Sequence, residues 1–147
     1  MSHRLALAIA LASFTLGCGG PFLLLPGGAL DGPTAAVPAD WTDALAPDTV
    51  QLETRPGDPY SVNIWAIGLG PHAYVHAGAS RSTWVEHMEA DPNVRLRVDG
   101  TIYELHATRV ESQEVFDRFS DAYEVKYGRR PRNEDVSEAY LFQLDPR

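Results

Sequence analysis

The chain has 147 residues, 44% hydrophobic and 22% charged, a length and balance suited to one globular domain. That composition argues against wholesale disorder and against a polytopic membrane protein. Twelve Lys and Arg against twenty Asp and Glu give a net charge of −8, so the clustered cations that grip a nucleic-acid backbone are not expected. The single Cys excludes an internal disulfide framework and a zinc ribbon.

His3 and Arg4 precede an apolar run over 5–16 that closes on Gly17-Cys18-Gly19-Gly20, and no charge occurs between Leu5 and Leu30. A short basic start, an apolar stretch and small residues at its end describe a secretory signal peptide over 1–17. Phe14-Thr15-Leu16-Gly17-Cys18 resembles the lipobox of bacterial lipoproteins, in which the Cys is acylated and becomes the new N-terminus. The resemblance implies lipidation at Cys18, a membrane anchor and a place in the cell envelope facing the periplasm. Two alternatives stay open. Cys18 can be an incidental small residue before an ordinary cleavage site, or residues 5–25 can remain as an uncleaved span of ~20 residues. Export is expected in each case. Residues 18–48 are rich in Gly, Pro and Ala without a sustained period and read as a tether, with Phe22-Leu23-Leu24-Leu25 as a sticky patch near the membrane. The compact domain is expected over 49–147.

In that domain, 49–55 alternates weakly and ends at the turn cluster Pro56-Gly57-Asp58-Pro59. A strand over 60–67 leads through Gly68-Leu69-Gly70-Pro71 to a second strand over 72–77. The glycine pattern there precedes a strand rather than a helix, so it reads as a hairpin turn and not as a dinucleotide fingerprint. Thr83-Trp84-Val85-Glu86 has the form of a capping box opening a helix to Ala90, which Asp91-Pro92 stops. Asp99-Gly100 predicts a tight hairpin. It sets Val98 opposite Thr101, Leu96 opposite Tyr103, Val94 opposite Leu105, and on the other face Arg95 opposite Glu104 as a charge pair. Ser112 caps a helix with Val115, Phe116, Phe119, Ala122, Tyr123 and Tyr127 on one stripe, ended by Gly128. The basic loop Arg129-Arg130-Pro131-Arg132 can reach an anion, also across a dimer interface, but a solvated loop at a helix C-terminus is the favoured reading, and a last strand covers 139–144. The fold expected is α+β, a small and mostly antiparallel barrel of about six strands with two helices.

That order, the stretch from Trp84 to Tyr103 and the strand Ser61-Val62-Asn63-Ile64-Trp65-Ala66-Ile67 resemble the split β-barrel flavin- and deazaflavin-binding proteins. These are related to pyridoxamine phosphate oxidase and the deazaflavin-dependent nitroreductases. The resemblance covers about 50–110 and implies FMN or deazaflavin as cofactor, a small-molecule electron acceptor, and a homodimer sharing the cleft. Some split barrels bind haem. The loop before the Trp-led helix offers Ser80, Arg81, Ser82, Thr83 and Trp84 to a cofactor phosphate, since helix N-termini favour anions. Arg55 is a further candidate in the first hairpin, opposed by Asp58. No catalytic acid or base stands out, because a flavin carries its own chemistry. The His residues lack carboxylates or thiolates at ligand spacing, so no metal site is expected, and no nucleophile elbow is present. The alternative function is a non-catalytic envelope lipoprotein that uses the barrel as a binding or interaction module.

Overall fold

The computed structural model describes residue 21 and residues 23–147; the leader over 1–17, Cys18 and Phe22 lie outside the described residues. In chain order the elements are α1 (Trp41–Ala44), β1 (Val50–Thr54), β2 (Tyr60–Ile64), β3 (Ala66–Leu69), β4 (His72–His76), α2 (Thr83–Ala90), β5 (Asn93–Val98), β6 (Thr101–Arg109), α3 (Gln113–Tyr127) and β7 (Leu141–Pro146). The seven strands form one antiparallel sheet in the order β2-β1-β5-β6-β7-β4-β3. Its two edges, β2 and β3, are consecutive in the chain and separated only by Trp65. The sheet must therefore curl until its edges meet at that residue, while they part elsewhere. This is an α+β split barrel.

One strand was expected over 60–67, and two are present. The break follows from the end of α3: the Tyr127 hydroxyl accepts from the Ala66 amide at 3.2 Å, and Lys126 Nζ donates to the Ala66 carbonyl at 2.9 Å. Those contacts turn the chain at Trp65, so β2 pairs with β1 and β3 with β4.

The β5–β6 hairpin has the expected register throughout, with Asp99 and Gly100 at φ 47° and 82°. Helix α3 also starts and stops as expected. The Ser112 side chain accepts from the Val115 amide, and Gly128 closes the helix at φ 74°. The last strand begins two residues later than expected, because a 3₁₀ turn over Val136–Glu138 delivers Ala139 to it.

The expected tether needs correction. Leu30, Trp41 and Leu45 are buried, and Trp41 packs with Leu52, Leu96, Leu105 and Leu144 in the barrel core. Gly27 pairs with Ser61, and Thr34 bridges Ile102. The small residues of this segment let extended backbone lie flat on the sheet, and its few large apolar side chains fill what would be voids. From residue 27 onward the segment belongs to the domain. A second cluster under α3 joins Phe116 and Phe119 to Ile67, Tyr74 and Leu141. Among the described residues, no helix is long and apolar enough to cross a membrane.

Candidate functional site

The meeting of the sheet edges at Trp65 leaves a cleft between β2, the end of β4, the start of α2 and the end of α3. It encloses about 680 Å³, within the range of roughly 300–1,000 Å³ typical of cofactor pockets. Its walls are aromatic: Trp65, Trp84 and Tyr123. Trp65 stacks on Tyr127 with ring centroids 4.4 Å apart and planes 10° from parallel. The Arg129 guanidinium lies 5.1 Å from the Trp65 ring centre, at cation–π distance.

The polar lining is one-sided. Arg129, Arg130 and Arg132 face the cleft, and no Asp or Glu is among the lining residues. Arg130 is held by Asp121 at 2.7 Å and Glu124 at 3.1 Å. Arg129 and Arg132 form no ion pair among the described residues. Ser82 belongs to the same lining, and its Oγ is buried without a hydrogen-bond partner among the described residues. A buried hydroxyl left unpaired costs about 1–3 kcal/mol, which a turn of the side chain toward a ligand in the cleft would recover. The arrangement suits an anionic group with an aromatic or apolar body.

His76 lines the cleft beside Phe116, Phe119 and Tyr123. Its Nε2 accepts from the Gly78 amide at 3.2 Å, which leaves the ring proton on Nδ1. Burial among these rings pushes its pKa down from 6.5 to about 4. The folded state thus resists protonation while the unfolded chain does not. Stability from this group is complete above pH 6.5 and is lost as pH falls toward 4, by roughly 3 kcal/mol in all. Urea unfolding at pH 7 and 4.5 is expected to show the parent losing about 2 kcal/mol more than His76→Gln. Parallel losses would remove the buried neutral imidazole.

No protein-family model and no curated protein matches the chain. Solved structures do. A candidate 5-nitroimidazole antibiotic resistance protein from Bacteroides thetaiotaomicron VPI-5482 is 14% identical, covering 68% of this chain and 73% of its own, with a TM-score of 0.56. An FAD-binding protein from Mesorhizobium loti is 16% identical over 72% of this chain and 86% of its own, with a TM-score of 0.53. An F420 reductase is also 16% identical, over 76% of this chain and 96% of its own, again with a TM-score of 0.53. The shared feature is the split barrel.

On this split barrel the residues singled out from sequence separate into two groups. Ser80, Ser82 and Trp84 line the cleft. Arg81 turns away along α2, where its Nε donates to Glu89 at 2.9 Å and its Nη1 lies 3.6 Å from Glu86. The expected capping box is not formed. Ser82 occupies the N-cap without a side-chain cap bond, and Thr83 is the exposed first helical residue. The Ser82 carbonyl takes the amides of Val85 and Glu86, while the Glu86 carboxylate sits near Arg81. Arg55 lies at the β1–β2 turn with φ 58°, paired to Asp58 at 2.9 Å. Trp65 and the loop from Arg129 to Arg132 complete the site; from sequence Trp65 stood only within a strand, and anion contact by the loop ranked below a solvated reading. A run of three arginines beside a Pro was the available signal, and a helix C-terminus explained it equally well.

Proposed function

We propose that this chain is an exported, membrane-anchored split barrel that holds FMN or a deazaflavin in the cleft and reduces a small acceptor. The observation that carries the reading is the lining itself. On a chain of net charge −8, among the described residues, it presents two guanidiniums without carboxylate partners, an unpaired buried hydroxyl and no acid. Arg129 and Arg132 are assigned to the anionic tail of the cofactor, with Ser80 and Ser82 as hydroxyl donors. Trp65 and Trp84 give the ring system apolar walls and exclude water. His76 stays neutral beside them and adds no charge to the site. The cofactor, when bound, supplies the hydride chemistry. Arg81 is already matched by Glu86 and Glu89, which leaves Ser80, Ser82 and the loop amides as the contribution of this segment.

Titration of purified protein with FMN and with a deazaflavin, followed by absorbance and fluorescence, tests the reading. Replacing both Arg129 and Arg132 by Ala is expected to weaken binding roughly 10- to 100-fold, the scale of one or two charge-assisted hydrogen bonds. Arg81→Ala is expected to have little effect. Absence of any spectral change with either cofactor would overturn the proposal. The Cys18 anchor and the homodimer remain part of it, and are checked by mass spectrometry of the mature N-terminus and by light scattering.

A further inference from the structure

Three consecutive leucines, Leu23, Leu24 and Leu25, stand 72%, 99% and 66% exposed. A contiguous apolar knuckle of this kind on a folded surface marks a site of contact with something else. It is held in place. Leu23 takes φ 52°, a left-handed conformation uncommon for a residue with a side chain. Asn63 Nδ2 fixes the Leu23 carbonyl at 2.8 Å, and the Gly27–Ser61 pair clamps the chain just beyond. Asn63 and Trp65 are alternate residues along the sheet edge, and both line the mouth of the cleft. Trp65 is itself 38% exposed, so an aromatic ring and Arg129 and Arg132, which form no ion pair among the described residues, lie on a rim that the knuckle borders through Asn63.

We propose that this rim docks on an anionic lipid bilayer, with the leucine knuckle inserted at the headgroup boundary. Two observations identify the occupant. The knuckle sits in a stretch without charge from Gly19 to Leu30, so the chain enters the domain through a segment compatible with lipid whether or not the leader over 1–17 is removed. The rim also joins leucines and a Trp to arginines on a chain of net charge −8, the pairing that peripheral membrane surfaces use against anionic headgroups. A soluble acidic partner would find the arginines but have no use for three projecting leucines. The inference does not depend on a flavin binding, nor on acylation of Cys18. It places the mouth of the cleft against the bilayer surface.

The test uses the full chain reconstituted into vesicles of phosphatidylcholine with phosphatidylglycerol, some chains carrying bromine as a quencher of tryptophan. Trp41 and Trp84 are 0% and 9% exposed, so the ring open to quenching is Trp65. Strong quenching is expected in the parent and little in Trp65→Phe. Leu24→Asp, at a fully exposed position, should leave the melting temperature and any FMN affinity unchanged while lowering the docked fraction roughly tenfold. Quenching as strong in Leu24→Asp, or equal quenching on phosphatidylcholine alone, would overturn the proposal.

Discussion

Gly68→Val is expected to lower the melting temperature by roughly 10–20 °C, equivalent to about 3–5 kcal/mol. A Cβ at position 68 would stand 2.0 Å from the Trp41 carbonyl oxygen, 2.3 Å from its carbon and 2.8 Å from the Thr42 nitrogen. All three are backbone atoms and cannot swing aside as a side chain would. Helix α1 is also fastened to this hairpin, since the Trp41 amide donates to the Gly70 carbonyl at 2.7 Å and the Gly70 amide to Thr42 Oγ1 at 3.2 Å. Relief of the clash must therefore lift the helix and draw the Trp41 indole, 0% exposed, from the barrel core. Gly57 is the control. A Cβ there meets nothing within 4 Å, so Gly57→Ala should stay within about 1 kcal/mol of the parent. A thermal or urea melt of Gly68→Val that matches the parent would show that α1 does not rest on β3.

The same glycine illustrates how far the sequence could be read. Gly68-Leu69-Gly70-Pro71 was legible as a hairpin because a strand follows it, and Gly70 does take φ 55° in the turn. The need for Gly68 was not legible, since it arises from a helix that is 27 residues away. Local signals carried well wherever the determinant was local. The Asp99-Gly100 turn set the register of β5 and β6, and Ser112 and Gly128 bounded α3. They failed where a distant group decides. The run over 60–67 breaks because Lys126 and Tyr127 reach Ala66, and residues 27–45 pack because the barrel needs Trp41. For the cleft, the loop over 80–84 was legible as a strand-to-helix junction. Its counter-wall came from Trp65 and Arg129, far apart in sequence and joined where the end of α3 packs on the break between β2 and β3.

Arg95→Met is expected to destabilise the domain by about 3–5 kcal/mol, because it leaves a buried carboxylate without its counterion. From the hairpin register Arg95 faces Glu104, and the two are indeed opposite one another. The ion pair forms on the other side. Strand β5 lies between β6 and β1, and Arg95 is also opposite Glu53. Its Nε donates to Glu53 Oε1 at 2.8 Å and its Nη2 to Oε2 at 2.6 Å, while Glu104 takes Arg147 at 2.9 Å. The difference between the two carboxylates is their cover. The segment around Leu30 lies over Glu53, which is 3% exposed, whereas Glu104 is open to solvent that screens its charge. The cover is itself bonded to the pair: the Leu30 amide donates to Glu53 Oε2 at 2.6 Å, and Arg95 Nη2 donates to the Leu30 carbonyl at 2.9 Å. Removing the guanidinium therefore strands Glu53 and unpairs the Leu30 carbonyl together. Truncating both partners, in Glu53→Leu with Arg95→Met, removes the buried charge and should recover most of the loss. A remainder of roughly 1–2 kcal/mol is expected, because the Leu30 amide and carbonyl would then lack partners. Urea unfolding of the parent, the two single variants and the double variant closes the cycle. Amide exchange at Leu30 should rise in every variant that lacks Arg95 or Glu53, since this pair is what fastens the covering segment to β1 and β5. If Arg95→Met unfolds at the same urea concentration as the parent, the segment over residues 27–37 is held by its apolar contacts and its backbone pairing with Ser61 and Ile102, not by the Glu53–Arg95 pair.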